Sequence, residues 1–192
     1  MPKLFSDYEK EQHCITLFND GLRMIMEHGY KNVTVEKLTQ LIGSSKGYFY
    51  LLFESKEDFY LKAIRWQMEQ ILDQLMSARE KGASHDEISR LYKDLFLQAS
   101  HANFVDVFYI QNKITREQWE QFRAFEELHF SKAIQMLGKD PNVCNPRVLS
   151  NLSAVVFLSY GMSHDSPYLF ADKNEETLEV LLNMLHRYVV EH

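Results

Sequence analysis

Ser45, Lys46, Tyr48 and Tyr50 stand within six residues in the run SSKGYFY, directly after Gly43, and bring hydroxyl, ammonium and phenol groups to one short segment. Such groups donate hydrogen bonds to acceptor-rich, negatively charged partners, and the flanking sequence sets them at helix starts. Thr34 can cap a helix whose apolar positions Val35, Leu38, Leu41 and Ile42 recur at helical spacing, and Gly43 supplies the permissive backbone where that helix stops. Ser44 or Ser45 then caps a second helix, expected from about Ser45 to Leu52, which buries Phe49 and Leu52 and projects Ser45, Lys46, Tyr48 and Tyr50. Two short helices about a glycine turn form a helix-turn-helix, whose second helix carries its first turns into the major groove of DNA. Lys46, Tyr48 and Ser45 are therefore assigned to base edges and their surroundings, Gly47 to close backbone approach, and Thr34, Tyr50 and Lys56 to phosphates. Lys56 earns its place from Ser55-Lys56-Glu57-Asp58, a capping-box pattern that opens a third helix, because a helix N-terminus with an adjacent lysine suits a phosphate. Taken alone, a helical turn with Tyr-Phe-Tyr reads as core; the capped helices on both sides favour DNA, while Phe49 and Phe53 are core in either case.

Other chemistries find no support. Ser163-His164-Asp165 contains the three residue types of a hydrolytic triad, but adjacent side chains point apart and cannot form the relay. The run GSSKG lacks phosphate-loop spacing and follows no strand. No His or Cys pair stands at metal-ligand spacing in a helix, so neither metal nor cofactor is expected, and the chain is not expected to be an enzyme.

From Ile15 to Ile64 the chain resembles the TetR family of bacterial transcriptional regulators. The resemblance lies in Leu17-Phe18 with Gly29-Tyr30, the Thr34-Val35 helix start, the Gly43-x-Ser45-Lys46-Gly47 turn and the run Phe49-Tyr50-x-x-Phe53-x-x-Lys56-Glu57. Thr39 and Ile42 stand where the family usually has alanine, and Ser44 where it favours valine. The resemblance implies an all-α protein with a three-helix DNA-binding head over residues 1–55 and a helical effector-binding and dimerisation domain over 56–192. It further implies a homodimer on a palindromic double-stranded operator and a repressor released by a small, largely apolar effector. The runner-up is a helical ligand-binding or interaction protein that keeps a degenerate DNA-binding head.

The net charge of −6 would oppose phosphate attraction, yet it is unevenly spread. Residues 1–62 hold eight Lys or Arg against nine acids, whereas residues 63–192 hold thirteen against eighteen. Non-specific affinity is expected to be modest and sequence-directed contacts to matter more. Cys14 and Cys144 belong to no motif, and the N-terminal MPKLFSDYEKEQHC is too polar for a signal peptide, so a reducing cytoplasm is the expected location. The longest apolar run, Leu152 to Met162, is too short to span a bilayer.

The remaining helices are expected at about 7–27, 55–81, 86–101, 103–111, 115–138, 145–163 and 174–190, with breaks at Gly82, Pro141 and Pro167. The last two carry wide apolar faces, with Leu149, Leu152 and Val156 on one and Leu178, Leu182 and Leu185 on the other. Under the resemblance these residues form the dimer interface. Aromatic residues crowd the middle of the chain, and Trp66, Phe96, Phe104, Phe108, Trp119, Phe122, Phe125 and His129 are the expected lining of an effector pocket.

Overall fold

The computed structural model describes residues 5–99, 109–163 and 169–192, and among these every regular element is helical. Local chemistry sets where each helix begins. Helix α1 (Asp7–Thr16) starts with a capping box in which Glu9 N–H donates to Ser6 Oγ while Ser6 N–H donates to the Glu9 carboxylate. It runs through one π-helical turn (Leu17–Gly21) into α2 (Leu22–His28). Helix α3 (Val35–Leu41) is capped by Thr34, α4 (Lys46–Leu52) by Ser45, and α5 (Lys56–Glu80) by Ser55, which accepts from Asp58 N–H at 3.0 Å. The Asp58 carboxylate reaches back to Glu54 N–H rather than to the Ser55 N–H that a capping box would use. Helices α6 (His85–Ala99), α7 (Arg116–Met136), α8 (Pro146–Ser163) and α9 (Asn174–Glu191) complete the chain. Of the helix expected over 103–111, only 109–111 are described, and they are helical; His164 and Asp165 fall outside the described residues. The expected all-α class is borne out.

The chain divides into two compact units within α5, after Gln67, and the described part of Val105–Gln118 joins the N-terminal unit. That unit is built on aromatic rings. Phe49, Phe53 and Phe59 pack with centroids 5.1–5.7 Å apart, and Phe18 carries this cluster across to Trp66 at 5.9 Å. Glycine lets the first helix come this close: a Cβ on Gly21 would stand 2.9 Å from Leu38 Cδ2 and 3.0 Å from Phe59 Cζ. At the rim, Tyr30 packs on Tyr60 and Tyr109 at 5.6 and 6.1 Å.

The second unit has its own core of Phe130 and Ile134 from α7, Cys144 from the following turn, Leu149 and Val156 from α8, and Leu182, Leu185 and Val189 from α9. The Asn145 N–H donates to the Tyr188 hydroxyl at 2.9 Å and fastens the start of α8 to the end of α9.

His129 is buried in this unit with Phe125 stacked at 5.8 Å and Phe130 edge-on at 5.5 Å. Burial, with Lys132 in a smaller part, pushes its pKa down to about 4. As pH falls below about 6.5 the unfolded chain binds this proton first, so stability is complete above that pH and declines toward pH 4. The full decline for this group is about 3 kcal/mol. Glu126 works in the opposite sense, since burial pushes its carboxyl up and folding then favours its protonation. Urea unfolding of the parent and of His129→Leu at about pH 7 and about pH 4.5 isolates the histidine. The parent is expected to lose more stability over that interval than the variant.

Candidate nucleic-acid interface

Helix α3 ends in a Schellman motif. Ser44 N–H donates to the Thr39 carbonyl at 3.0 Å and Gly43 N–H to the Gln40 carbonyl at 3.2 Å, with Gly43 at φ 58°, in the left-handed region that favours glycine. Ser45 then caps α4 by accepting from Tyr48 N–H at 3.4 Å. The departures at Thr39 and Ser44 fit into this turn differently. Thr39 is buried with its hydroxyl donating to the Glu36 carbonyl at 2.9 Å, whereas Ser44 Oγ is buried without a hydrogen-bond partner.

The seven residues of α4 present a narrow exposed face. Lys46 and Gly47 lie at its start, and Tyr50 follows with an exposed ring. Nothing lies nearer to a Cβ on Gly47 than Ser45 Oγ at 3.9 Å, so the backbone there is open to a close approach. Tyr48 is a correction. It does not project; it is 8% exposed, with its hydroxyl hydrogen-bonded to His13 Nδ1 at 3.0 Å and its ring against Phe5 at 4.5 Å. Burial pushes its phenol pKa up. Tyr48 anchors the recognition helix to the N-terminal segment, and the polar partner that makes burial tolerable is thirty-five residues away. Leu51, which the sequence reading missed, is 81% exposed on the same helix. Its spacing of four from Gly47 puts it on the open face and could have revealed it.

Lys46 does not stand alone. Its ammonium donates to Glu36 Oε1 at 2.8 Å, across from the first turn of α3, and both side chains are exposed. This bond is the largest cause holding the Glu36 carboxyl down at about 2, and it raises the lysine in return.

At the expected phosphate flank, Thr34 Oγ1 accepts from Lys37 N–H at 3.3 Å. Lys56 lies 3.8 Å over the Tyr30 ring with its ammonium on the Tyr30 carbonyl, so it clasps the start of α5 to the turn after α2 instead of reaching outward. Lys31 stands 4.4 Å over the Tyr109 ring, and Lys37 Nζ donates to the Asn32 carbonyl at 3.0 Å. Lys31, Lys37, Lys46 and Lys56 thus each have an internal partner, and of the four Lys46 is the one paired with an acid.

The effector-pocket assignment meets a different outcome. Phe104 and Phe108 lie outside the described residues, as does the side chain of Phe96. Trp66 is a core ring of the N-terminal unit, packed on Phe18. Trp119, Phe122, Phe125 and His129 follow one another along α7 at 5.8–6.3 Å, each ring filling the space beside the next, and Phe122 and His129 are buried. Trp119, Phe122, Phe125 and His129 do not line the cleft of about 420 Å³ in the second unit. That cleft is floored by Leu75, Ile88, Tyr92, Ala133, Leu182 and Leu185, with Arg90, Lys93 and His186 also on its lining.

The residues expected at the dimer interface pack within the chain itself. Leu149, Val156, Leu182 and Leu185 are buried in the chain's own core, with Leu152 and Leu178 packed half-buried against it. Their helices turn a second apolar set outward: Val148 and Val155 on α8, Val180 and Met184 on α9.

Comparison with known proteins places this geometry. Residues 17–63, from the π-helical turn into α5, match the family model described as bacterial regulatory proteins, tetR family. A search of curated proteins gives no significant match. Among solved structures, the fatty acid degradation regulator FadR from Bacillus halodurans is similar in fold, with a TM-score of 0.51 and 18% identity over 94% of this chain and 97% of that one.

Proposed function

We propose that this chain, whose residues 17–63 match the tetR family of bacterial regulatory proteins, is a sequence-specific DNA-binding repressor released by a small, largely apolar effector. The observation that carries the sequence-specific part is the exposed face of α4. Ser45, Lys46, Gly47, Tyr50 and Leu51 stand together on a helix anchored from behind by Phe49 and Tyr48. A seven-residue helix touches few base pairs, so one copy reads too little sequence to be selective. Two copies related by a two-fold axis double the readout and demand a palindromic operator. Residues 1–55 supply the DNA contacts, and 56–192 supply pairing and the effector site, in the cytoplasm. Among the described residues no helix is long and apolar enough to cross a membrane.

The regulator half of this proposal is tested by fluorescence anisotropy on duplexes taken from the DNA flanking the protein's own gene. The expected result is binding of one palindromic duplex, weakened roughly ten-fold or more by Lys46→Ala, the usual scale for one good base contact. Failure to prefer any duplex would overturn it. The effector half obeys linkage: a compound that releases the operator binds the operator-bound protein more weakly by the same factor.

A further inference from the structure

We propose that Glu36 reads DNA bases together with Lys46, the two acting as one ion pair that selects a G·C pair in each half-site. The inference rests on the DNA-binding reading above.

Lys46 is the one charged side chain of α4, and it begins the helix. Glu36 sits in the first turn of α3, so the pair joins the two helix starts that a helix-turn-helix turns toward the duplex. Both side chains are more than half exposed. Lys37 and Lys56 give their ammoniums to backbone carbonyls, whereas Lys46 holds a partner that is itself a hydrogen-bonding group facing outward.

A carboxylate at a DNA surface is repelled by phosphates, and it is tolerated where it meets a donor. In the major groove the donors are the exocyclic amines of cytosine and adenine. An ammonium has three donors; with one spent on Glu36 the others are free for guanine O6 and N7. In a G·C pair guanine O6 and cytosine N4 bond to each other, so they lie side by side on the groove edge. A donor and an acceptor 2.8 Å apart, Lys46 Nζ and Glu36 Oε1, match that edge with the lysine over guanine and the glutamate over cytosine. On T·A the carboxylate would meet adenine N6 but sit beside N7, an acceptor, and the lysine would find thymine O4 alone in place of guanine O6 and N7, so G·C is favoured. An exposed ion pair contributes little to stability, so exchanging part of it for base contacts costs the fold little. On non-specific DNA the pair is electrically neutral, and Lys46 releases no counterion.

The test is selection of duplexes from a random pool by the full-length protein, with the parent, Glu36→Ala and Glu36→Gln, followed by salt titration on a non-specific duplex. The parent is expected to enrich a motif with one G·C position per half-site at roughly ten-fold or greater preference. Glu36→Ala should lose that preference and keep the rest of the motif. Glu36→Gln should move the position toward A·T, because an amide pairs with adenine N6 and N7. For both variants the freed lysine should steepen the slope of log K against log salt on non-specific DNA by about 0.9. Identical motifs and slopes for all three proteins would overturn the inference and leave the DNA-binding reading standing. A parent that enriches no motif would overturn both.

Discussion

Replacing Phe49 with alanine is expected to unfold the DNA-reading head. The ring is fully buried and meets Phe53 and Phe59 at 5.1 and 5.7 Å, so truncation leaves a cavity bounded by rings that are themselves fixed by neighbours. Loss of a buried phenylalanine costs about 3–5 kcal/mol, against a total of about 5–15 kcal/mol for a folded domain. Thermal unfolding followed by circular dichroism should show an early transition for the head, and operator binding should disappear with it. Leu51→Ala, two positions on, is the control. Its side chain is exposed, so stability should stay within about 0.5 kcal/mol while operator affinity falls. A Phe49→Ala protein that melts with the parent would show that the aromatic cluster does not hold the head.

The second large effect concerns assembly. Val155→Glu with Met184→Glu is expected to leave a folded monomer that binds operator at least a hundred-fold more weakly, since each half-site contact then stands alone. These side chains are 53% and 55% exposed and lie on α8 and α9, which pack along each other. A two-fold interface would confront each new carboxylate with its symmetry-related copies in an otherwise apolar contact. The same change at Leu182 tests nothing about pairing, because that residue is buried in the chain's own core and a carboxylate there would unfold the unit. Sedimentation should give monomers for the double variant; an intact dimer with unchanged operator affinity would move the interface elsewhere.

What could be read from the sequence was local. Thr34, Gly43, Ser45 and Ser55 fix where three helices begin and one ends through bonds that span three to five positions, so their spacing is sufficient. What could not be read depends on partners far along the chain. Tyr48 looks like a surface phenol until His13 and Phe5 are brought over it, and Lys46 looks like a free cation until α3 sets Glu36 beside it. The faces of α8 and α9 failed for another reason. Leu149 and Leu185 point inward and Val155 and Met184 outward, but all are apolar, and hydrophobic periodicity has no contrast to tell core from interface. Trp66, on the long helix from Ser55, reads as a neighbour of the middle aromatics, whereas Phe18 draws it into the head.

The ring cluster of the head has a consequence for synthesis. Phe18, Phe49, Phe53, Phe59 and Trp66 all lie within the first 66 residues, and among the described residues Tyr109 joins the rim from the later segment that completes this unit. Helical units with contacts this close in sequence fold in microseconds to milliseconds, while translation adds about 5–20 residues per second. The head therefore has on the order of ten seconds as a folded, solitary body before Val155 and Met184 are made. Shape is acquired during elongation, and under the proposed two-fold pairing a partner can be met only after it, so the nascent head is folded while it can grip no more than one half-site.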